Sequence, residues 1–214
     1  MVIKVKICGL KTIPQVNASI KGKAKMIGLM FYNKSPRYIN IKTAKKLSLY
    51  AEKKILRVGV FANMKISEIK KIIENVKLEY FQFHGNETPN FLKKVKKITK
   101  IKVIKAIKIL NKNDIKKIDI FRQICDYILI DTKIVTKNKF NYKEKTKKLN
   151  WEFLGNIKNK NSLMLSGALN TKNLEESIKK SNIKFVDVSS SLENSPGKKN
   201  IKKIKKFLEL ATKL

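Results

Sequence analysis

Short runs crowded with apolar and β-branched residues recur along the chain. Longer lysine-studded stretches separate them, in which apolar residues return at every third or fourth position. The runs are VIKVKIC (2–8), KMIGLMF (25–31), LRVGVF (56–61), YFQFH (80–84), KVIKAI (102–107), YILID (127–131), SLMLS (162–166) and FVDVSS (185–190). Between them, IKTAKKLSLYAEKK, MKISEIKKIIENV, NKNDIKKIDIFRQI, TKNLEESIKKS and the closing NIKKIKKFLELATKL carry the spacing of amphipathic helices. Eight strand-then-helix units in 214 residues predict an α/β fold, a parallel (β/α)8 TIM barrel forming one domain over 1–214. Each parallel crossover needs a helix, and eight strands close the sheet. An open doubly wound sheet is the alternative, but it uses fewer strands, and no G-x-G-x-x-G fingerprint follows the first run.

Alternation along each strand sorts its residues onto two faces. In the first run Ile3, Val5 and Ile7 share the face expected under the helices, so Lys4, Lys6 and Cys8 point into the barrel. The same parity predicts Arg57, Gln82, His84, Asp131, Asp187 and Ser189 inward, with Val58, Val60, Phe81, Phe83, Ile128, Ile130, Val186 and Val188 outward. Charges inside a barrel need partners, so Lys6, Arg57 and Asp187 are expected to form an internal ion-pair network. Barrels of this type carry their active sites at the C-terminal ends of the strands. The strand-end residues are Cys8, Phe31, His84, Asp131, Ser166 and Ser189-Ser190, which brings a thiol, an imidazole, a carboxylate and two small polar turns to one mouth.

Composition narrows the reading. A hydrophobic content of 43% fits a globular chain with a sizeable core. No leader-like segment and no long apolar stretch is present, so a cytoplasmic protein without membrane association is expected. The formal charge of +34 would suit nucleic acid, yet arginine occurs only as Arg37, Arg57 and Arg122, and the lysines are spread from end to end. No nucleic-acid partner is therefore expected, and the charge reads instead as a field that steers small anions. The two cysteines, Cys8 and Cys125, lie far apart without a Cys-x-x-Cys or Cys/His cluster, so neither a disulfide nor a metal site is expected. Cys125 reads as a small buried hydrophobe, and Trp151 as a packing residue.

Several segments together are similar to the phosphoribosylanthranilate isomerase family of tryptophan biosynthesis. They are KICGLKT (6–12), GLMFYNKSPRYI (28–39), VGVF (58–61), FQFHGNE (81–87), LID (129–131), LSGALN (165–170) and VDVSSSLENSPGKK (186–199), in order over nearly the whole chain. The resemblance implies a cofactor-free Amadori rearrangement of an anionic phosphosugar, with Cys8 as general base, Asp131 as general acid and Arg37 holding the anthranilate carboxylate. It implies phosphate contacts around Ser166, Gly167, Ser189 and Ser190. His84 and Asp187 are further substrate-binding candidates; the alternative for His84 is a satisfied residue behind the site, and for Arg37 a surface ion pair. Positive surroundings are expected to favour the Cys8 thiolate, and partial burial to keep the acid form of Asp131 accessible. Barrels of this kind work as a monomer or homodimer.

The chain departs from the family pattern in four places. Residues 132–150 hold no glycine and are expected to form a mobile loop, Ala168 and Ser191 stand where glycines are usual, and Asn200 stands for an aspartate. A glycine site that needs positive φ would be strained by the added Cβ. Two other readings stay open: a phosphosugar isomerase using paired aspartates, against which the strand-end cysteine speaks, and a polyanion-binding protein without catalysis.

Overall fold

The apolar runs form strands in the predicted order: β1 (Lys4–Cys8), β2 (Met26–Met30), β3 (Leu56–Phe61), β4 (Tyr80–Phe83), β5 (Lys102–Lys108), β6 (Tyr127–Asp131), β7 (Leu163–Ser166) and β8 (Phe185–Val188). This computed structural model describes residues 2–132, 134–138, 141–147 and 151–214. All eight strands pair in parallel and close on themselves, β1 meeting both β2 and β8. The helices are α1 (Ile13–Lys21), α2 (Ile41–Ala51), α3 (Ile66–Ile73), α4 (Pro89–Thr99), α5 (Lys116–Arg122), α6 (Glu152–Gly155), α7 (Leu174–Ser181) and α8 (Ile201–Lys213).

Local chemistry sets several helix boundaries. Thr88 accepts a hydrogen bond from the Phe91 N–H ahead of Pro89, which removes an orphan donor where α4 begins. Asn200 does the same for α8 by accepting from Lys203, so the amide found there serves as an N-cap. The helix then buries Ile204, Phe207, Leu208 and Ala211 along one stripe. Fully burying a side chain such as Phe207 contributes roughly 1.5–3 kcal/mol, which holds a helix whose opposite face is lysine.

Two apolar layers result. Ile7, Ile27, Phe61, Phe81, Ile128 and Val186 pack between sheet and helices. Inside the barrel lie Cys8, Met26, Val58, Val60, Tyr80, Ile104, Leu129, Met164 and Phe185. The predicted faces hold for β1, β4, β6 and β8, but β3 is reversed. Val58 and Val60 point inward, and Arg57 points out to Glu79 and to the Ser48 carbonyl of α2, 3.0 Å away. The register explains the reversal, since Val58 lies level with Gly28, which is itself level with the inward Cys8. Arg57 is therefore outside the internal network, and only Lys6 and Asp187 form it. Phe31 likewise belongs to the outer layer, stacked on Phe61, and Met30 faces the mouth instead.

The expected loop over 132–150 is corrected in part. Ile134–Asn138 and Asn141–Lys147 pair as an antiparallel ribbon, while residues 133, 139, 140 and 148–150 lie outside those described. Trp151 and Cys125 are buried in the outer core, as expected of packing residues, and burial pushes the Cys125 thiol up to about 12. Among the described residues, no helix is long and apolar enough to cross a membrane.

Candidate active site

One cleft at the C-terminal end of the barrel gathers every residue put forward for catalysis or binding, Cys8, Arg37, His84, Asp131, Ser166, Gly167, Asp187, Ser189 and Ser190, but not the strand-end Phe31. Strand ends deliver most of them, because an inward side chain at the last position of a strand lacks a further layer above it and opens to the mouth. The turns after β7 and β8 supply the rest.

Cys8 sits on the tip of β1 with little exposed surface. Room for its sulfur comes from Gly28 on the neighbouring strand, where a Cβ would fall 2.7 Å from Sγ. Directly below, on the same face, the Lys6 ammonium is fully buried and lies 2.7 Å from Asp187 Oδ1. Asp187 also receives a hydrogen bond from Ser166 at 3.3 Å, so one carboxylate ties β1, β7 and β8 together beneath the cleft. Burial opposes the charge on Lys6, but Asp187 and Cys8 outweigh it and hold its pKa above the ordinary lysine value. The expectation that positive surroundings would lower the Cys8 pKa is corrected. Burial pushes the thiol up, and the nearby Lys6 and Lys199 offset only part of that effect.

Across the cleft, His84 bridges two side chains. Its Nε2 lies 3.3 Å from Asp131 Oδ2, and its Nδ1 lies 3.3 Å from the Gln82 amide nitrogen. The imidazole is thus within reach of a catalytic candidate, which the reading of a residue behind the site did not require.

Arg37 reaches the cleft from the turn after β2. Its Nε and Nη2 donate to the two oxygens of Glu193, each at 2.8 Å, in a bidentate pair. Gly9 makes this approach feasible, since a Cβ there would meet the Arg37 Cδ at 2.7 Å. Glu193 also takes the buried Lys199 ammonium and the Gly197 N–H. Burial would raise the Glu193 pKa, yet Arg37 and Lys199 hold it below the ordinary carboxylate value. Lys199 in turn lies 3.3 Å from Ser189 Oγ, which donates to the Cys8 carbonyl at 3.1 Å. Sequence reasoning did not assign Glu193 or Lys199 to the site. Both stand in the quoted segment 186–199, and an acid close behind a serine-rich strand end was the available signal.

The turns after β7 and β8 accommodate the two missing glycines in different ways. Ala168 adopts φ 53°, a left-handed conformation that disfavours any Cβ. Its carbonyl accepts from the amides of Asn170 and Asn173, at 3.1 and 3.2 Å, which fasten the strained residue in place. Ser191 lies in a single 3-10 turn, Ser190–Leu192, and is not in a left-handed conformation. Its hydroxyl donates to the Leu169 carbonyl, stapling the turn after β8 to the turn after β7.

Comparison with known proteins follows the same lines. The family model for N-(5'-phosphoribosyl)anthranilate (PRA) isomerase matches residues 5–210. The N-(5'-phosphoribosyl)anthranilate isomerase of Rhizobium johnstonii is 32% identical over 209 residues, covering 98% of this chain and 94% of the relative. That of Brucella canis is 32% identical, with 98% and 94% covered. The crystal structure of phosphoribosyl anthranilate isomerase from Thermotoga maritima superposes with a TM-score of 0.84 at 32% identity, covering 99% of this chain and all of that one. A crystal structure of phosphoribosyl anthranilate isomerase in complex with reduced 1-(o-carboxyphenylamino)-1-deoxyribulose 5-phosphate superposes at 0.83 with 31% identity, over 99% of this chain and 100% of that one. With a matching barrel, a family model that spans residues 5–210 and similarity over almost its full length, this chain belongs to the N-(5'-phosphoribosyl)anthranilate isomerase family.

Proposed function

We infer that the chain catalyses the Amadori rearrangement of N-(5'-phosphoribosyl)anthranilate to 1-(2-carboxyphenylamino)-1-deoxyribulose 5-phosphate in tryptophan biosynthesis, as a cytoplasmic enzyme acting alone or as a homodimer. The observation that carries the reading is that Cys8 and Asp131, from the first and sixth strands, line one cleft together with Arg37 and the turns after β7 and β8. A thiol and a carboxyl serving one small molecule is the arrangement that paired proton transfers require.

The chemistry then runs in three steps. The carboxylic acid of Asp131 donates its proton to the furanose ring oxygen as the C1–O bond breaks, while the nitrogen lone pair forms the C1=N bond of an iminium. The cation acidifies the C2–H bond, and the Cys8 thiolate removes that proton. The C–H electrons become the C1=C2 bond of an enolamine and the C=N π electrons return to nitrogen. The enolamine loses its O2 proton and gains one at C1, giving the ketone. Cys8 then holds the proton taken from C2 while Asp131 has given its own to the sugar oxygen, and transfer between them or through solvent resets the site.

Binding follows the substrate's two anionic ends. The turn Gly167-Ala168 lines the cleft with Ser166, Ser189 and Ser190 beside it, and the backbone N–H groups and hydroxyls of these turns would hold the phosphate. The Arg37 guanidinium, held flat by Glu193, suits the anthranilate carboxylate. His84 and Asp187 complete the substrate-facing wall.

Mixing the purified protein with the substrate tests the reading through the loss of anthranilate-adduct fluorescence. Cys8→Ala and Asp131→Asn are each expected to lower kcat/KM by about 10²–10⁴-fold. Wild-type turnover in either variant would remove that residue's role, and no turnover by the parent protein would remove the function.

A further inference from the structure

His84 is the single histidine of the chain, and both ring nitrogens are engaged. A neutral imidazole offers one N–H and one lone pair. The amide nitrogen of Gln82 can only donate, so Nδ1 accepts and the ring proton sits on Nε2, where it donates to Asp131 Oδ2, an acceptor in the carboxylate and, with the acid proton on Oδ1, in the carboxylic acid as well. The hydrogen bonds therefore run in one direction, from Gln82 through His84 to Asp131.

This direction leaves something over. Gln82 is 1% exposed and lies in the wall of the cleft, yet among the described residues its Oε1 has no hydrogen-bond partner. A buried carbonyl without a donor is unfavourable, and its presence in a ligand cleft points to a donor that arrives with the ligand. Rotating the amide does not remove the deficit. It would put an amide N–H where Oε1 now stands, equally without a partner, and turn the Nε2 lone pair toward Asp131 Oδ2.

We propose that Gln82 is a substrate-contacting residue whose Oε1 accepts a hydrogen bond from an N–H or O–H donor on the bound substrate, with the His84–Asp131 pair dictating which end of the amide is presented. The identity of the ligand rests on the isomerase reading. On that reading the donors are the amine linking sugar to aromatic ring and the ribose hydroxyls. A ligand that offers only an acceptor at this point is refused.

Two measurements test it. With one histidine, a two-bond ¹H–¹⁵N correlation spectrum reads its tautomer without ambiguity. The free protein should show the Nε2–H form with Nδ1 as a hydrogen-bonded acceptor. Gln82→Met should move the Nδ1 resonance toward that of an unbonded nitrogen, and Gln82→Glu, which can only accept, should place a proton on Nδ1. In titrations with reduced 1-(o-carboxyphenylamino)-1-deoxyribulose 5-phosphate, Gln82→Met should bind about tenfold more weakly than the parent. An Nδ1–H tautomer in the parent protein overturns the proposal, and that spectrum needs no variant to fold. So does a Gln82→Met protein that binds the analogue as tightly as the parent. A parent protein that does not bind the analogue overturns the isomerase reading, and the ligand contact falls with it.

Discussion

In its proposed role as base, Cys8 is subject to two opposing forces. Burial disfavours the thiolate and wins, while the Lys6 ammonium keeps the ion within reach. A thiolate with a raised pKa is scarcer but a stronger base, which is a workable exchange for removing a proton from carbon. Activity should therefore rise with pH along a limb displaced above the ordinary thiol value of about 8.5. Lys6→Met should displace it further, since the largest charge favouring the thiolate is gone; a limb that stays put in a kcat/KM profile would exclude Cys8 as the titrating base. The same substitution strips the buried Asp187 of its cation and should lower stability by about 3–5 kcal/mol in urea unfolding. Linkage gives the sign of the thiol's own pH effect. Because the folded pKa is raised, the native state keeps its proton longer. The stability this contributes is complete below the unfolded thiol value and is lost as pH rises through the folded one.

Among elements, the segment after β8 does more than close the barrel. Its short ribbon, Glu193–Ser195 against Lys198–Lys199, brings an acid and a lysine back under the cleft. Glu193 holds the half-buried Arg37 on one side and the fully buried Lys199 side chain on the other. Glu193→Gln should raise KM about tenfold with a much smaller change in kcat, because a loosened guanidinium loses binding geometry and touches no reacting atom. It should also lower stability by roughly 3–5 kcal/mol by stranding a buried ammonium. Adding Lys199→Met separates the two effects: unfolding stability should recover while KM stays high. Joint recovery would make Glu193 purely structural. The strand-end residues other than Phe31 were legible beforehand because parity and a strand terminus are local properties. Glu193 and Lys199 were not, since their partners lie on β2's turn and β8's end, and nothing local says that a lysine in a ribbon is buried. The reversal of β3 has the same origin. LRVGVF is apolar on both faces, and only its register against Gly28 decides which face meets Arg57's partners, Ser48 and Glu79.

Over the whole molecule, the charge divides into an inner and an outer part. The buried lysines Lys6, Lys105 and Lys199 are each neutralised by a carboxylate, Asp187, Glu87 and Glu193 respectively. The excess of +34 is therefore carried mainly by the surface. The barrel rhythm survived this lysine load because lysine occupies the solvent faces of helices, where it leaves apolar periodicity untouched. A surface field of one sign raises the local concentration of an anion and its encounter rate by about 10–10³-fold at low salt. It reaches only about 10 Å at 0.1 M ionic strength. The substrate carries both a phosphate and a carboxylate, so capture should be salt-sensitive while the proton transfers, sheltered in the cleft, should not. Raising NaCl from about 0.02 to 0.5 M is expected to lower kcat/KM about tenfold or more and to leave kcat within about twofold. A kcat/KM that is flat across this range would mean that the lysines act at the surface without reaching the reaction, and a kcat that falls in parallel would place the sensitivity in the Lys6–Asp187 floor of the site instead of in capture.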